Sequence, residues 1–188
     1  SFDVVLTNPP FGKKLKIDES EILSLYDLGR KWKKNENGIY EKTSLLADAQ
    51  PPQILFIERC LNLLSKNGRM CFISPESIFC NPSHKYIVQY IKERAKISAI
   101  ISMPEELFQP YTHAKTCVVY LEKGKSIPDD KIFMGIARYC GHDSRGNETS
   151  RDDIPLIMEK YNQYIENGDI ERNHLGFVIT EKDIRNNV

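Results

Sequence analysis

The run Phe2-Asp3-Val4-Val5-Leu6-Thr7 passes without a break into Asn8-Pro9-Pro10-Phe11-Gly12. Apolar and β-branched residues at this density read as a strand, and two consecutive prolines then forbid either strand or helix to continue. Further along the chain, helical and strand periods alternate. From Pro52 to Leu64 the residues Ile54, Leu55, Ile57, Leu61 and Leu64 keep helical spacing, and Asn67-Gly68 reads as the helix stop. Arg69 to Ser74 is a compact strand ended by Pro75. His84 to about Ala95 reads as a second helix, with Tyr86, Ile87, Tyr90 and Ile91 on one face. Ile97–Met103, Thr116–Glu122 and Lys131–Tyr139 complete the set of strands. Strand, helix, strand, helix, strand predicts an α/β chain with a mostly parallel sheet and flanking helices.

Between Lys13 and about Pro52 the sequence is polar and reads as one long connection with a short helix near Glu21–Arg30. Its Lys13, Lys14, Lys16, Arg30, Lys31, Lys33 and Lys34 face Asp18, Glu19, Glu21 and Asp27 along the chain. Two readings stay open: contacts to phosphate, or a solvated mixed-charge loop, the second being favoured. Asp153 to about Asn167 reads as an amphipathic helix with Ile157, Met158, Tyr161 and Ile165 on one face.

Charge excludes one class of function. The 188 residues carry 26 Lys+Arg and 26 Asp+Glu, which rules out a stand-alone, charge-driven nucleic-acid binder but not a local patch. No apolar run approaches the ~18 residues of a membrane span. Cys60, Cys71, Cys80, Cys117 and Cys140 form no C-x-x-C pair, and His84, His113, His142 and His174 are scattered. Reduced, buried thiols are expected, in the cytoplasm, with no metal site.

Asn8-Pro9-Pro10-Phe11 carries the chemistry. It comes directly after a strand, at the edge where open α/β sheets place their sites. The Asn8 side-chain oxygen and the Pro9 carbonyl are acceptors held by stiff neighbours, and Phe11 adds a flat apolar face. That set suits a planar base with an exocyclic amino group. The lone pair of such an amine is delocalised into the ring, so it is a poor nucleophile. Two acceptors on its hydrogens favour the pyramidal nitrogen that attacks a methyl sulfonium, stabilising charge that develops only in the transition state. The plain alternative is an ordinary Asn-Pro turn.

The segment from Phe2 to Gly12 resembles the catalytic motif of adenine-N6 DNA methyltransferases, above all the modification subunit of type I restriction-modification systems. Further blocks are similar in order: Glu58 to Pro75 with Asn67-Gly68-Arg69 and Ile73-Ser74-Pro75, then Pro104 to Thr116, then Phe133-Met134 through Gly141–Gly146 to Asp152-Asp153-Ile154-Pro155. The resemblance implies a partial Rossmann-like class I S-adenosylmethionine-dependent methyltransferase fold whose first three strands are absent. Residues 1–150 would be the later part of the catalytic domain, with the motif turn at 8–12 and the long loop at 13–51. Residues 151–188 would be a helical tail suited to subunit docking. It implies Asn8, Pro9, Pro10 and Phe11 as catalytic residues, and Phe11 and Phe108, or less strongly Tyr111, as contacts to a base swung out of the duplex. Asn8 and Pro10 would wall the cofactor, S-adenosylmethionine, whose main site is expected outside this chain, since no glycine-rich turn succeeds a strand here. The chain alone is therefore expected to be inactive. Duplex DNA, a specificity subunit and a restriction subunit are the implied partners, with no membrane. The alternatives are a methyltransferase acting on guanine N2 in RNA or on a protein glutamine amide, and a non-catalytic module for assembly or DNA gripping.

Overall fold

A computed structural model describes residues 1–12 and 15–186. Its centre is a six-stranded sheet made of β1 (Phe2–Thr7), β4 (Leu64–Pro75), β6 (Thr116–Lys123), β5 (Ala95–Ser102), β7 (Lys131–Ile136) and β10 (Gly176–Thr180), in that spatial order. β1 pairs parallel with β4, and β5 parallel with β7, while β6 and β10 run against their neighbours. Four of the six strands thus point one way. The sheet is mixed, with the parallel direction dominant.

The sheet faces arise from strand alternation. On β4, Met70, Phe72 and Ser74 are buried on one face, and Cys71 and Ile73 turn to the other. The first face is covered by α2 (Pro52–Leu63) and α4 (Lys85–Lys92), through Ile54, Ile57, Leu61, Ile87, Tyr90 and Ile91. The second face carries a smaller cluster, in which α5 (Ile154–Asn167) places Ile157 against Ala99 and Phe133. β5 serves both clusters because a bulge lies between Ile97, opposite Leu121, and Ala99, opposite Tyr120. Without that extra residue Ile97 and Ala99 would share a face; with it they enter different clusters.

Several elements differ from the sequence reading. Helix α2 ends at Leu63, and Asn67-Gly68 lies inside β4 rather than stopping the helix. The strand begun at Lys131 ends at Ile136, short of Tyr139. Segment 13–51 is no open loop. It holds α1 (Ser20–Ser24) and a hairpin of β2 (Arg30–Lys34) and β3 (Tyr40–Leu46). Trp32 turns inward and stacks on Tyr86 at 5.8 Å, and the Gln89 amide bonds both backbone groups of Tyr40. The buried Glu58 of α2 accepts the Asp27 and Leu28 amides at 2.9 and 2.7 Å, tying the segment to the core.

The tail is not purely helical either. β10 joins the main sheet beside β7, and α6 (Glu181–Asn186) comes after it. In α5 the inward stripe is Ile154, Ile157, Tyr161 and Tyr164, whereas Met158 and Ile165 are exposed. Gly168 ends this helix at φ +72°, a left-handed position that only glycine adopts without cost. Among the described residues no helix is long and apolar enough to cross a membrane.

Candidate active site

β1, β4 and β5 point the same way, so Asn8, Glu76 and Met103, each just past a strand end, share one edge of the sheet. The register sets Thr7 opposite Phe72, so the turn leaves the sheet beside the last residues of β4. Pro9 is buried and fixes the turn, while Asn8 and Pro10 are exposed. Among the described residues neither the Asn8 amide nor the Pro9 carbonyl is engaged by another protein group.

Phe11 meets Phe108 edge to face, with ring centroids 5.8 Å apart and planes at 81°. Phe108 closes a short 3-10 turn, Glu105–Phe108. The structure thus brings together two aromatic residues that lie far apart in sequence. Tyr111, by contrast, is 94% exposed and makes no ring contact with Phe11.

The loop carrying Phe108 is held at both ends. The Met103 amide donates to the Thr116 carbonyl at 2.9 Å, and the Glu76 amide donates to the Lys115 carbonyl at 3.0 Å. The Glu76 carboxylate accepts the Ser102 hydroxyl and lies 3.6 Å from Lys115 Nζ. Glu76 therefore links the ends of β4 and β5 to the end of the loop. Sequence reasoning does not single it out; its one signal is its place directly after the strand-ending Pro75.

A cavity of about 450 Å³ opens beside the turn, walled by Leu6, Thr7, Asn8, Cys71, Ile73 and Val118. None of these side chains is charged. A sulfonium would meet no cation there and would find neutral oxygens at Thr7 and Asn8, so this wall fits one side of such a group. Asn8 and Pro10 are the sequence candidates for that contact. Nearby thiols are not nucleophiles: burial, then the Glu76 charge, push Cys117 up to about 12, and burial raises Cys71. The arrangement can press a planar group against Phe11 and Phe108 and accept hydrogen bonds from an amine.

The basic residues of segment 13–51 divide. Lys13 and Lys14 lie outside the described residues. Lys31 pairs with Asp48 at 2.8 Å, Arg30 donates to the Ser44 carbonyl, and Lys34 lies over the Tyr40 ring. Lys33 remains exposed on the hairpin. That pattern is the solvated mixed-charge surface more than a phosphate grip.

The model of the family described as N-6 DNA methylase matches residues 1–188. A curated relative, the type I restriction enzyme EcoEI methylase subunit of Escherichia coli, is 24% identical over 124 residues, which are 65% of this chain and 21% of that protein. The solved type I restriction-modification methyltransferase subunit of Streptococcus thermophilus superposes with a TM-score of 0.70 at 18% identity, over 99% of this chain and 36% of that one. A Listeria monocytogenes chain assigned to the class I S-adenosylmethionine-dependent methyltransferases gives 0.60 at 21% identity, over 88% and 42%. The fold is shared with both. The chain spans about a fifth of the curated relative it matches.

Proposed function

The chain belongs to the N-6 DNA methylase family, and on that premise we propose that it forms the amine-gripping part of an adenine-N6 DNA methyltransferase, the methylation subunit of a type I restriction-modification system. The observation that carries this reading is the pair of acceptors on Asn8 and Pro9, unengaged among the described residues, three and two residues from a Phe11 that already meets Phe108. Target adenine swung out of the duplex would lie against these rings. Its N6 hydrogens would be held by the Asn8 side-chain oxygen and the Pro9 carbonyl, which orient the nitrogen lone pair and stabilise its developing positive charge. Bound S-adenosylmethionine supplies an electrophilic methyl group, and Asn8 and Pro10 would wall it on the sheet-edge side. No basic side chain is required, because the N6 proton becomes strongly acidic once the fourth bond forms and leaves to water. Glu76 keeps the Phe108 loop in place without touching the base.

Duplex DNA is the proposed substrate, and a specificity and a restriction subunit the proposed partners, in the cytoplasm. The test is methyl transfer by the complete methyltransferase to duplex DNA, structured RNA and a glutamine-containing peptide. Methyl groups appearing on adenine N6 of duplex DNA are the expected result. Transfer to RNA or peptide in preference to DNA overturns the choice of acceptor, and no transfer to any of the three overturns the enzymatic reading.

By the same reading the 188-residue chain alone is inactive. Calorimetric titration with S-adenosylmethionine should give no measurable heat of binding, and saturable binding would place a full cofactor site within these residues.

A further inference from the structure

Beyond the turn that carries Phe108 lies a second cavity of about 450 Å³, built by the hairpin of β8 (Cys140–His142) and β9 (Glu148–Asp152). The hairpin is fixed at its base by Asp153, whose carboxylate accepts the Arg138 and Tyr139 amides at 2.8 and 3.2 Å. Its tip is fixed by Asp143, whose carboxylate accepts the Arg145 and Asn147 amides at 2.8 and 2.9 Å and the Asn147 side chain at 2.9 Å. These bonds hold Asp143 below the usual carboxylate range and occupy its oxygens with the turn itself. The walls combine Arg138, Tyr139, His142, Thr149 and Arg151 from the hairpin side with Glu106 from the Phe108 turn.

The two guanidiniums differ in how they are held. Arg151 lies over the Tyr139 ring, 5.1 Å from its centroid, and donates to the Tyr139 hydroxyl at 3.1 Å, so little side-chain freedom remains to be lost on binding. Arg138 is exposed, and its guanidinium has no hydrogen bond or ion pair among the described residues. Cys140 also lines the cavity, a buried thiol that its burial raises. Two guanidiniums suit a phosphodiester. Glu106 is an acceptor suited to an amino group, and the volume is that of a small-molecule site.

We infer that this cavity holds the nucleotide next to the target base, its phosphate on Arg138 and Arg151 and an exocyclic amine of its base toward Glu106. This rests on the reading of the chain as a DNA methyltransferase. Its location supports the step: Glu106 stands two residues before Phe108, in the same 3-10 turn, so a strand whose base lies at Phe108 passes this cavity with its neighbour.

The test uses the complete methyltransferase with Arg138→Gln, Arg151→Gln and the charge-keeping Arg151→Lys. Duplex affinity is measured by anisotropy from about 50 to about 200 mM salt, the range over which counterion release is read. Removing both guanidiniums should make the slope of log K against log salt shallower by about 0.9, the loss of one phosphate contact, and each single glutamine variant should take a measurable part of that change and weaken binding by about threefold to tenfold. Turnover at saturating DNA should stay within about twofold, since phosphate contacts position rather than react. Arg151→Lys should recover most of the slope. An unchanged slope in both glutamine variants, with methylation intact, overturns the inference. Loss in both variants of calorimetric binding of a free deoxynucleoside monophosphate, with the duplex slope unchanged, overturns the DNA assignment in favour of a free nucleotide. Arg151 also packs on Tyr139, so Arg138→Gln, which removes no side-chain hydrogen bond or ion pair among the described residues, keeps the test open if Arg151→Gln does not fold. If methylation of adenine in DNA fails in the parent enzyme, it is the functional reading that falls; if it stands and the slopes do not move, only this cavity's assignment falls.

Discussion

Asn8→Ala in the complete methyltransferase should lower methyl transfer by about 10²–10³-fold, the range seen when one donor or acceptor aimed at developing charge is removed. Duplex affinity should remain within about twofold, because Asn8 is one exposed, uncharged side chain. The loss should fall on kcat rather than KM. A hydrogen bond that strengthens as the amine nitrogen becomes positive contributes to the transition state and little to the ground state. Folding should be nearly unaffected, since the side chain makes no hydrogen bond to the described residues. Asn8→Asp, which keeps an acceptor at the same position, should lose less than Asn8→Ala. Single-turnover methylation with duplex DNA distinguishes these outcomes. Methylation by Asn8→Ala within about threefold of the parent rate would remove the role given to this residue, since a single-acceptor term of that size cannot be a charge-stabilising contact.

The second large effect concerns stability. Glu58→Ala should destabilise the chain by about 3 kcal/mol, with a fall in melting temperature of about 6–12 °C for a domain of this size. Both carboxylate oxygens of Glu58 are used, one by each of the amides of Asp27 and Leu28, and the residue is 4% exposed. Removing the carboxylate leaves two amide donors without partners, one of them at the fully buried Leu28. The damage should be local first. Hydrogen exchange at Asp27 and Leu28 should accelerate more than at Met70 or Val119 in the sheet. Glu58→Gln retains one carbonyl acceptor and should cost about half as much. Destabilisation below about 0.5 kcal/mol, the level of a surface substitution, would show that the segment is held by its aromatic contacts and the Gln89 bonds to Tyr40 rather than by Glu58.

The uneven legibility of the sequence has physical causes. β1 and its turn are readable because apolar density and two prolines act locally, and α2 and α4 because one face of each is nearly all apolar. The hairpin β2–β3 is hidden by its composition. Arg30-Lys31-Trp32-Lys33-Lys34 reads as a charge run, yet its alternation sends Trp32 inward and Lys31 and Lys33 outward. The extent of α2 is obscured because Asn67-Gly68 is a strong stop signal by itself, while parallel pairing with β1 takes precedence from Leu64 onward. β10 carries no local mark of its partner, and its place is settled by a distant strand, with Phe177 opposite Met134. In the site, Asn8, Pro9, Pro10 and Phe11 are legible as a motif, and the approach of Phe108 to Phe11 is implied by the family resemblance rather than by spacing. Glu76 is invisible because its meaning lies in three partners, Ser102, Lys115 and the loop end, that only the folded sheet gathers.

Strand order has a further consequence for how the chain is assembled. β6 is synthesised after β5 yet lies between β4 and β5, with Arg69 opposite Glu122 on one side and Ala95 opposite Lys123 on the other. Until residues 116–123 are available, β4 and β5 have no hydrogen-bonding connection: β1 and β4 can form a two-stranded ribbon, while β5 waits for β6 and for the still later β7. The central ladder then closes on both sides in one event, across long stretches of intervening chain, which makes closure slow and all-or-none compared with a sheet built strand by strand in order. A nascent polypeptide therefore holds β4 and β5 as separate open edges up to Lys115 and can join them only beyond Lys123, so the Phe108 loop is locked by the same strand that joins β4 to β5.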